Sequence, residues 1–307
     1  MKLAVPDLIS NSYFPAAAAI ELGFFKQAGL DVTLELVFPV DKAYAALRDG
    51  SVDFVAGSAH SLLAAFPRWQ GAKLLCALSQ GMYWFLVMHS DTGAKRGEIS
   101  AVKGRRIGAA PWVEMGLRGL LLEAGIDLKR DQVTIAPVPG ALGDGVSFGV
   151  AAAKALEDRK IDGFWANGMG AEVAIRRGTG VMVLDVRRGD GPKGCFDYTF
   201  AGLAATDRLI GQSPEIAAAA IRAIKATQQA LRQDVDYATK VGRKLFPRAE
   251  AELIADIVRR DLPYYDPSIS PACVAGMQRF AISMGLLDDA VPFSEVVAIQ
   301  FSNHWLD

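Results

Sequence analysis

Short apolar runs alternate with stretches of helical periodicity through the first two thirds of the chain. Strands are predicted at residues 3–6, 32–38, 53–56 and 73–78, and helices at 13–27, 41–49 and 59–66. A second set follows, with strands predicted at 106–109, 133–138, 162–166 and 181–186 and helices at 115–124 and 146–158. This alternation predicts an α/β fold with mainly parallel sheets and helices on both faces.

Two apolar segments interrupt the alternation. Residues 82–89 are strand-like but lead into a polar loop, and residues 196–204 follow a loop rich in charge and glycine. We interpret both segments as crossings between two lobes. The predicted domains are therefore residues 1–85 with 200–307 as lobe one, and residues 86–199 as lobe two.

The last third of the chain is predicted to be helical. Ser213 is a typical N-cap, with Pro214 at the first helical position. Further helices are predicted near residues 235–245, 249–260, 271–285 and 293–306. A helical C-terminal region therefore follows the two α/β units.

Composition and charge limit the function classes. The 307 residues suit two domains, and 51% hydrophobic with 22% charged residues are typical of a folded protein with a large core. The formal net charge is -1, from 33 Lys+Arg against 34 Asp+Glu. Such a balance offers no general attraction to phosphate backbones, so we expect no nucleic-acid partner.

The reactive side chains form no recognisable cluster. Three cysteines and three histidines are scattered, without C-x-x-C or H-E-x-x-H spacing, and no G-x-S-x-G motif is present. We therefore expect no metal, no cofactor and no enzymatic activity. The cysteines are expected to be small buried apolar residues.

Two sequence motifs carry a resemblance to a known family. The segment 16–32 reads A-A-A-A-I-E-L-G-F-F-K-Q-A-G-L-D-V, and A-L-R-D-G-S-V-D-F-V follows at 46–55. They resemble the opening of the substrate-binding proteins of ABC importers for nitrate, sulfonates, taurine and the pyrimidine precursor of thiamine. Similar features continue at K-G-R-R-I-G (103–108) and K-I-D-G-F (160–164).

The resemblance implies a two-lobed periplasmic-binding fold of type II, with two crossing segments that close around a ligand. It also implies a membrane permease as partner and a periplasmic or extracellular-anchored location. No secretory signal precedes the first predicted strand, so a cytoplasmic protein of the same fold stays an alternative. We expect a monomer.

Ligands of open α/β sheets sit beyond the carboxyl ends of the strands. This rule selects loops at 10–14, 38–40, 57–60, 80–84, 111–114, 139–147 and 166–168. The predicted ligand-binding residues are Asn11, Ser12, Tyr13, Phe14, Phe38, Ser58, His60, Tyr83, Trp84, Trp112, Glu114 and Asn167.

These loops hold several aromatic rings, which can stack on a flat ligand, and hardly any cations. Arg187, Arg188 and Lys193 stand apart, beside the second crossing segment. The pattern therefore favours a receptor for a small aromatic or heterocyclic organic molecule. The alternatives are a sulfonate or small organic-acid receptor of the same family, and a cytoplasmic enzyme or sensor with the fold of the thiamine-pyrimidine synthases.

Each candidate residue also has a purely structural interpretation. Trp84 and Trp165 are also expected in an apolar core, Glu114 can serve the helix dipole, and His60 can be a hydrogen-bonded structural histidine. Serine and asparagine in such loops are natural helix N-caps.

Overall fold

A computed structural model describes residues 1–141, 143 and 147–306. Its strands are β1 (Lys2–Val5), β2 (Thr33–Leu36), β3 (Phe54–Ser58), β4 (Ala72–Ser79), β5 (Phe85–His89), β6 (Arg106–Ala109), β7 (Thr134–Ala136), β8 (Gly163–Ala166), β9 (Gly180–Asp185) and β10 (Ala201–Thr206). Its α-helices are α1 (Phe14–Glu21), α2 (Phe24–Gln27), α3 (Val40–Arg48), α4 (Val113–Glu123), α5 (Phe148–Glu157), α6 (Gly168–Arg176), α7 (Asp207–Gln212), α8 (Pro214–Gln233), α9 (Asp236–Leu245), α10 (Arg248–Asp261), α11 (Pro271–Ser283) and α12 (Phe293–Val296).

The chain divides into two compact units. Unit 1 comprises Met1–Gly81 and Asp197–Asp307, and unit 2 comprises Met82–Phe196. The bounds expected from the sequence lie a few residues further along the chain at both crossings. No α-helix among the described residues is long and apolar enough to cross a membrane.

The sheet of unit 1 has the strand order β2-β1-β3-β10-β4 within the described residues. Strand β1 is parallel to β2 and β3, whereas β10 is antiparallel to both β3 and β4. The carboxyl ends of β1, β2, β3 and β4 therefore meet at one edge, together with the amino end of β10. The unit 1 loops that were selected as lying beyond the carboxyl ends of strands are at this edge.

The described sheet of unit 2 repeats this plan in the order β7-β6-β8-β5-β9. Strand β6 is parallel to β7 and β8, and β5 is antiparallel to β8 and β9. The amino end of β5 thus joins the carboxyl ends of the other strands. The prediction of two mainly parallel α/β units is confirmed, with one antiparallel strand in each sheet.

The helix predicted over residues 13–27 is wrong. Helix α1 ends at Glu21, and Gly23 adopts a left-handed conformation with φ +82° before α2 begins. Glycine tolerates this conformation because it lacks Cβ, and a left-handed residue commonly ends a helix. The continuous apolar periodicity concealed this break.

Three other local predictions also need correction. Residues 59–66, predicted as an α-helix, contain a 3₁₀ helix at Ala59–Ala64, and residues 293–306 contain α12 and the 3₁₀ helix Ile299–His304. Helices α6 and α7 were not predicted. Ser213 does precede α8, but its side chain makes no capping hydrogen bond.

The long helix α8 shows how the C-terminal region joins unit 1. Its buried residues recur every three or four positions and include Ala217, Ile221, Ile224 and Leu231. This face packs against α1, α2 and β4. The C-terminal helices therefore belong to the core of unit 1 and support the strands that carry the candidate site.

Candidate functional site

The loop after β1, residues 10–14, makes hydrogen bonds with buried side chains from the C-terminal region. The side-chain amide of Asn11 donates a hydrogen bond to Asp261, and its backbone carbonyl accepts one from the Tyr265 hydroxyl at 2.5 Å. All three residues are fully buried. Asn11, predicted as a ligand contact, thus directs its amide toward the end of α10, and sequence reasoning missed both of its partners.

Ser10 and Ser12 flank Asn11 and are also buried. Neither hydroxyl has a hydrogen-bond partner in the part of the chain that the structure describes. A buried hydroxyl without a partner costs about 1–3 kcal/mol. These two groups can therefore donate to, or accept from, a polar atom at the start of α1.

Tyr13 and Phe14 complete this loop, and both are buried. The Phe14 ring meets Phe246 edge-on with centroids 6.2 Å apart. Burial, and then the proximity of Tyr13, raise the pKa of the Tyr44 phenol well above its usual range. Tyr44 in turn donates a hydrogen bond to the Ser58 carbonyl at 3.0 Å, so the loops after β1 and β3 are neighbours.

Phe38 follows β2 and is half-buried. The peptide bond between Phe38 and Pro39 is cis. Asp7, after β1, accepts a hydrogen bond from the backbone N–H of Ile9 at 3.0 Å, the pattern of an Asx turn.

Ser58 and His60 belong to a buried chain of polar side chains after β3. The Ser58 and Ser61 hydroxyls are 2.5 Å apart, and Ser61 Oγ is 3.4 Å from His60 Nε2. His60 Nδ1 is 2.9 Å from the Thr199 hydroxyl. Thr199 reaches this position because β10 begins at the same sheet edge, a placement that the sequence order does not reveal.

Tyr83 and Trp84 lie at the amino end of β5 in unit 2. Their ring centroids are 4.8 Å apart, and Trp84 is 6.3 Å from Trp165. Trp84 also packs against Gly116 of α4, where an added Cβ would lie 3.1 Å from the indole. All three rings are buried, so they form an aromatic cluster behind the sheet edge.

Arg187 is the cation that sequence reasoning left outside the site. It is buried, and its guanidinium carbon lies 5.5 Å from the centre of the Tyr83 ring. The register explains the contact, since Phe85 of β5 pairs with Asp185 at the end of β9. Arg188 forms an ion pair with Asp185 at 2.8 Å.

Trp112 lies immediately before α4 in an unusual backbone conformation. Its φ is 68° and its ψ is -33°, whereas residues other than glycine rarely adopt a positive φ. Such conformations cost about 1–3 kcal/mol and cluster at functional sites. Trp112 and Glu114, which lies in the first turn of α4, are both half-buried.

Asn167 caps helix α6. Its side-chain oxygen accepts hydrogen bonds from the backbone N–H groups of Met169 at 3.1 Å and Gly170 at 3.2 Å. An added Cβ at Gly149 would lie 2.5 Å from this oxygen, so α5 approaches the cap closely. Within the predicted loop 139–147, residues 142 and 144–146 lie outside the described residues.

Among the described residues, no group of three His, Cys, Asp or Glu side chains could hold a metal ion. Cys76, Cys195 and Cys273 are buried, and none of them forms a disulfide bond. Burial raises the pKa of the Cys273 thiol to about 12, with a smaller contribution from nearby Asp197. All three cysteines are buried, as the sequence predicted, and the Cys195 thiol donates a hydrogen bond to the Glu123 carboxylate at 3.7 Å.

A protein-family model described as NMT1/THI5 like matches residues 11–238. The chain belongs to this family. The match includes both sequence motifs and the loops of both sheet edges described above. The family resemblance predicted from those motifs is confirmed. The search of curated proteins finds no match for this NMT1/THI5-like protein.

Solved structures share the fold at low sequence identity. A Bordetella bronchiseptica RB50 protein is 20% identical with a TM-score of 0.78, and the alignment covers 98% of this chain and 95% of that one. The alkanesulfonate-binding protein SsuA from Xanthomonas axonopodis pv. citri, bound to MOPS, is 14% identical with a TM-score of 0.69, over 98% and 96%.

The desulfurization enzyme DSZB has the same fold. A point mutant of DSZB in complex with biphenyl-2-sulfinic acid is 16% identical with a TM-score of 0.68, over 99% of this chain and 98% of that one. These matches confirm the predicted type II periplasmic-binding fold. They include both binding proteins and an enzyme.

Proposed function

We propose that this protein is the solute-binding receptor of an ABC-type importer and that its ligand is a small aromatic or heterocyclic organic acid. The candidate contacts in unit 1 are Tyr13 and the hydroxyls of Ser10 and Ser12. The candidate contacts in unit 2 are Trp112, Tyr83 and Arg187. The protein itself undergoes no covalent change.

The buried Arg187–Tyr83 pair is the observation that carries the proposal. A guanidinium that lies over an aromatic ring has a fixed orientation, and its planar N–H groups match a carboxylate or sulfonate. The aromatic rings beside it provide apolar surface for a flat ligand. A site with both features suits an organic anion better than a neutral ring or a bare inorganic ion.

The related structures support the receptor class. The Xanthomonas relative is named as an alkanesulfonate-binding protein, and the DSZB structure holds an aromatic sulfinic acid. Carried over to this chain, these names suggest a sulfonate or sulfinate group as the charged part of the ligand. A membrane permease is the proposed partner, with the receptor a monomer in the periplasm or anchored outside the cell.

An enzyme is the second candidate, favoured by the DSZB fold match and the buried His60–Ser61 contact. Their separation of 3.4 Å exceeds the usual range of about 2.6–3.2 Å for a working nucleophile and base. Catalytic hydrogen bonds often shorten only when substrate is bound, so a measurement of turnover distinguishes the two candidates.

The test is a thermal-shift and calorimetry screen of the purified chain. Its panel holds aromatic sulfonates and carboxylates, pyrimidines, alkanesulfonates and nitrate. The proposal expects saturable one-to-one binding of an aromatic acid, with the compound recovered unchanged after prolonged incubation. Product formation proportional to protein concentration would favour the enzyme instead, and a preference for nitrate would contradict the proposed ligand class.

A further inference from the structure

Residues 261–268, which begin at the last residue of α10, contact two candidate ligand loops that follow different strands of the unit 1 sheet. We propose that segment 261–268 is a positioning element of the ligand site, which holds loop 10–14 and the turn at Gln80 in place from inside unit 1. The part that concerns ligand affinity rests on the proposed function. The segment lies beyond residues 11–238, to which the family model matches.

Asn11 of loop 10–14 contacts the segment through its side-chain amide and through its backbone carbonyl. Asp261 accepts a hydrogen bond from the side-chain amide, and Tyr265 donates one to the backbone carbonyl. Asp261 and Tyr265 are fully buried, so water competes little for these bonds. A buried carboxylate is costly unless it is hydrogen-bonded, and this arrangement therefore favours one position of the loop.

The contact with the end of β4 uses Gln80. Its backbone N–H donates to the Tyr264 carbonyl at 2.7 Å, and its side-chain amide donates to the carbonyls of Asp266 at 3.0 Å and Ser268 at 2.6 Å. The backbone N–H of Ala77 donates to Pro267 at 2.9 Å. The segment therefore makes main-chain hydrogen bonds with β4 and the turn after it.

Helix α8 makes a third contact with the segment. The guanidinium of Arg232 donates a hydrogen bond to the Tyr265 carbonyl. In the sheet of unit 1, β1 and β4 are separated by β3 and β10. Segment 261–268 thus supplies a direct connection between the loop after β1 and the turn after β4, which the strand order does not provide.

The first experiment measures hydrogen–deuterium exchange of the amides in loop 10–14 without ligand. Asp261→Ala removes the acceptor for Asn11, and Tyr265→Phe removes the hydroxyl but keeps the ring. Each loses one hydrogen bond, so exchange of loop 10–14 should become roughly two- to tenfold faster. Asp261→Asn keeps a side-chain oxygen as acceptor and should restore exchange to within about twofold of wild type.

Gln278→Ala is the matched control. Gln278 is a buried side chain of the same unit that hydrogen-bonds Val291 through both its oxygen and its amide nitrogen. Its loss should lower the melting temperature but leave exchange of loop 10–14 unchanged. Equal acceleration in Gln278→Ala and Asp261→Ala, or no acceleration in Asp261→Ala and Tyr265→Phe, would overturn the positioning role.

The second experiment titrates benzenesulfonate into the same four variants. Affinity should fall roughly two- to tenfold in Asp261→Ala and Tyr265→Phe and recover in Asp261→Asn. Faster loop exchange with unchanged affinity would overturn the link between the segment and binding. If wild-type protein binds neither benzenesulfonate nor any other aromatic acid of the screen, the proposed ligand class fails, while the exchange experiment still decides whether the segment positions the loop.

Discussion

The guanidinium of Arg187 lies over the ring of Tyr83, 5.5 Å from its centre, and both side chains are buried. The two residues are far apart in sequence and meet because the amino end of β5 pairs with the carboxyl end of β9. The contact places a positive charge against an aromatic ring at the edge of the unit 2 sheet where the loops after the strands lie. In the proposed function, Arg187 binds the charged group of the ligand and the neighbouring rings pack against its aromatic part.

Arg187→Met should weaken binding of benzenesulfonate about ten- to hundredfold, because a hydrogen bond to a charged group contributes about 1.5–3 kcal/mol. Arg187→Lys should bind benzenesulfonate more tightly than Arg187→Met but more weakly than wild type, since an ammonium lacks the planar fork of the guanidinium. Titration calorimetry measures the affinity of each variant for benzenesulfonate.

Neutral benzenesulfonamide is the matched ligand, and Arg177→Gln, at an exposed arginine that pairs with Glu157, is the matched variant. Affinity for the sulfonamide should change little in Arg187→Met, and Arg177→Gln should bind like wild type. An equal loss for the charged and the neutral compound would show that Arg187 acts through packing alone.

Trp112→Ala should reduce affinity for an aromatic acid by about 1.5–3 kcal/mol, or roughly ten- to hundredfold, because stacking and apolar burial are lost. Circular dichroism should show a folded protein. Unaltered affinity in this variant would mean that the indole lies outside the ligand site.

The backbone at Trp112 allows a second comparison. Since φ is 68° at this position, glycine should be more stable than alanine here by about 1 kcal/mol. Urea unfolding of Trp112→Gly and Trp112→Ala measures the difference. Equal stability would show that the left-handed conformation carries no strain.

Glycine also determines how closely helices α5 and α6 approach. A Cβ at Gly170 would lie 2.4 Å from the Gly149 carbonyl oxygen, so Gly170→Ala should destabilise the protein by about 1–3 kcal/mol. Gly211 in α7 has open space around it, and Gly211→Ala should be neutral or stabilising. Thermal unfolding of the two variants checks this contrast, and similar melting temperatures would contradict it.

The thiols should be unreactive in the native protein. Burial raises the pKa of the Cys76 thiol above its usual range and that of Cys273 to about 12, and the thiolate is the reactive form. Ellman's reagent at pH 8 should therefore modify none of the three cysteines until guanidinium unfolds the chain. Rapid modification of a thiol without denaturant would contradict this prediction.

Much of the fold could be predicted from the sequence because it depends on local periodicity. The strands of both sheets fall close to the apolar runs that predicted them, including β6, whose predicted range is the one observed, Arg106–Ala109. The errors arose where one residue overrides the pattern. Gly23 ended a helix that apolar spacing extended to residue 27, and the first turn of α6 contains two glycines, which obscured its start.

The site was less predictable because its geometry depends on antiparallel pairing. The carboxyl-end rule selected Tyr83 and Trp84, yet it could not show that Arg187 or Thr199 would lie at the same edges. Arg187 reaches the loop edge of the unit 2 sheet through the register of β9 with β5, and Thr199 reaches that of the unit 1 sheet through the register of β10 with β3. Asp261 and Tyr265 lie about 250 positions from Asn11 in sequence, so local patterns contain no sign of their contact.

In the proposed function, this chain binds a small aromatic organic acid and releases it unchanged. The decisive experiment is titration calorimetry with benzenesulfonate, followed by mass spectrometry of the recovered compound. Wild-type protein should give a saturable one-to-one isotherm, weakened at least tenfold in Arg187→Met, with no new product. Absence of saturable binding across the aromatic acids of the screen, or steady conversion of a bound acid into product, would contradict it.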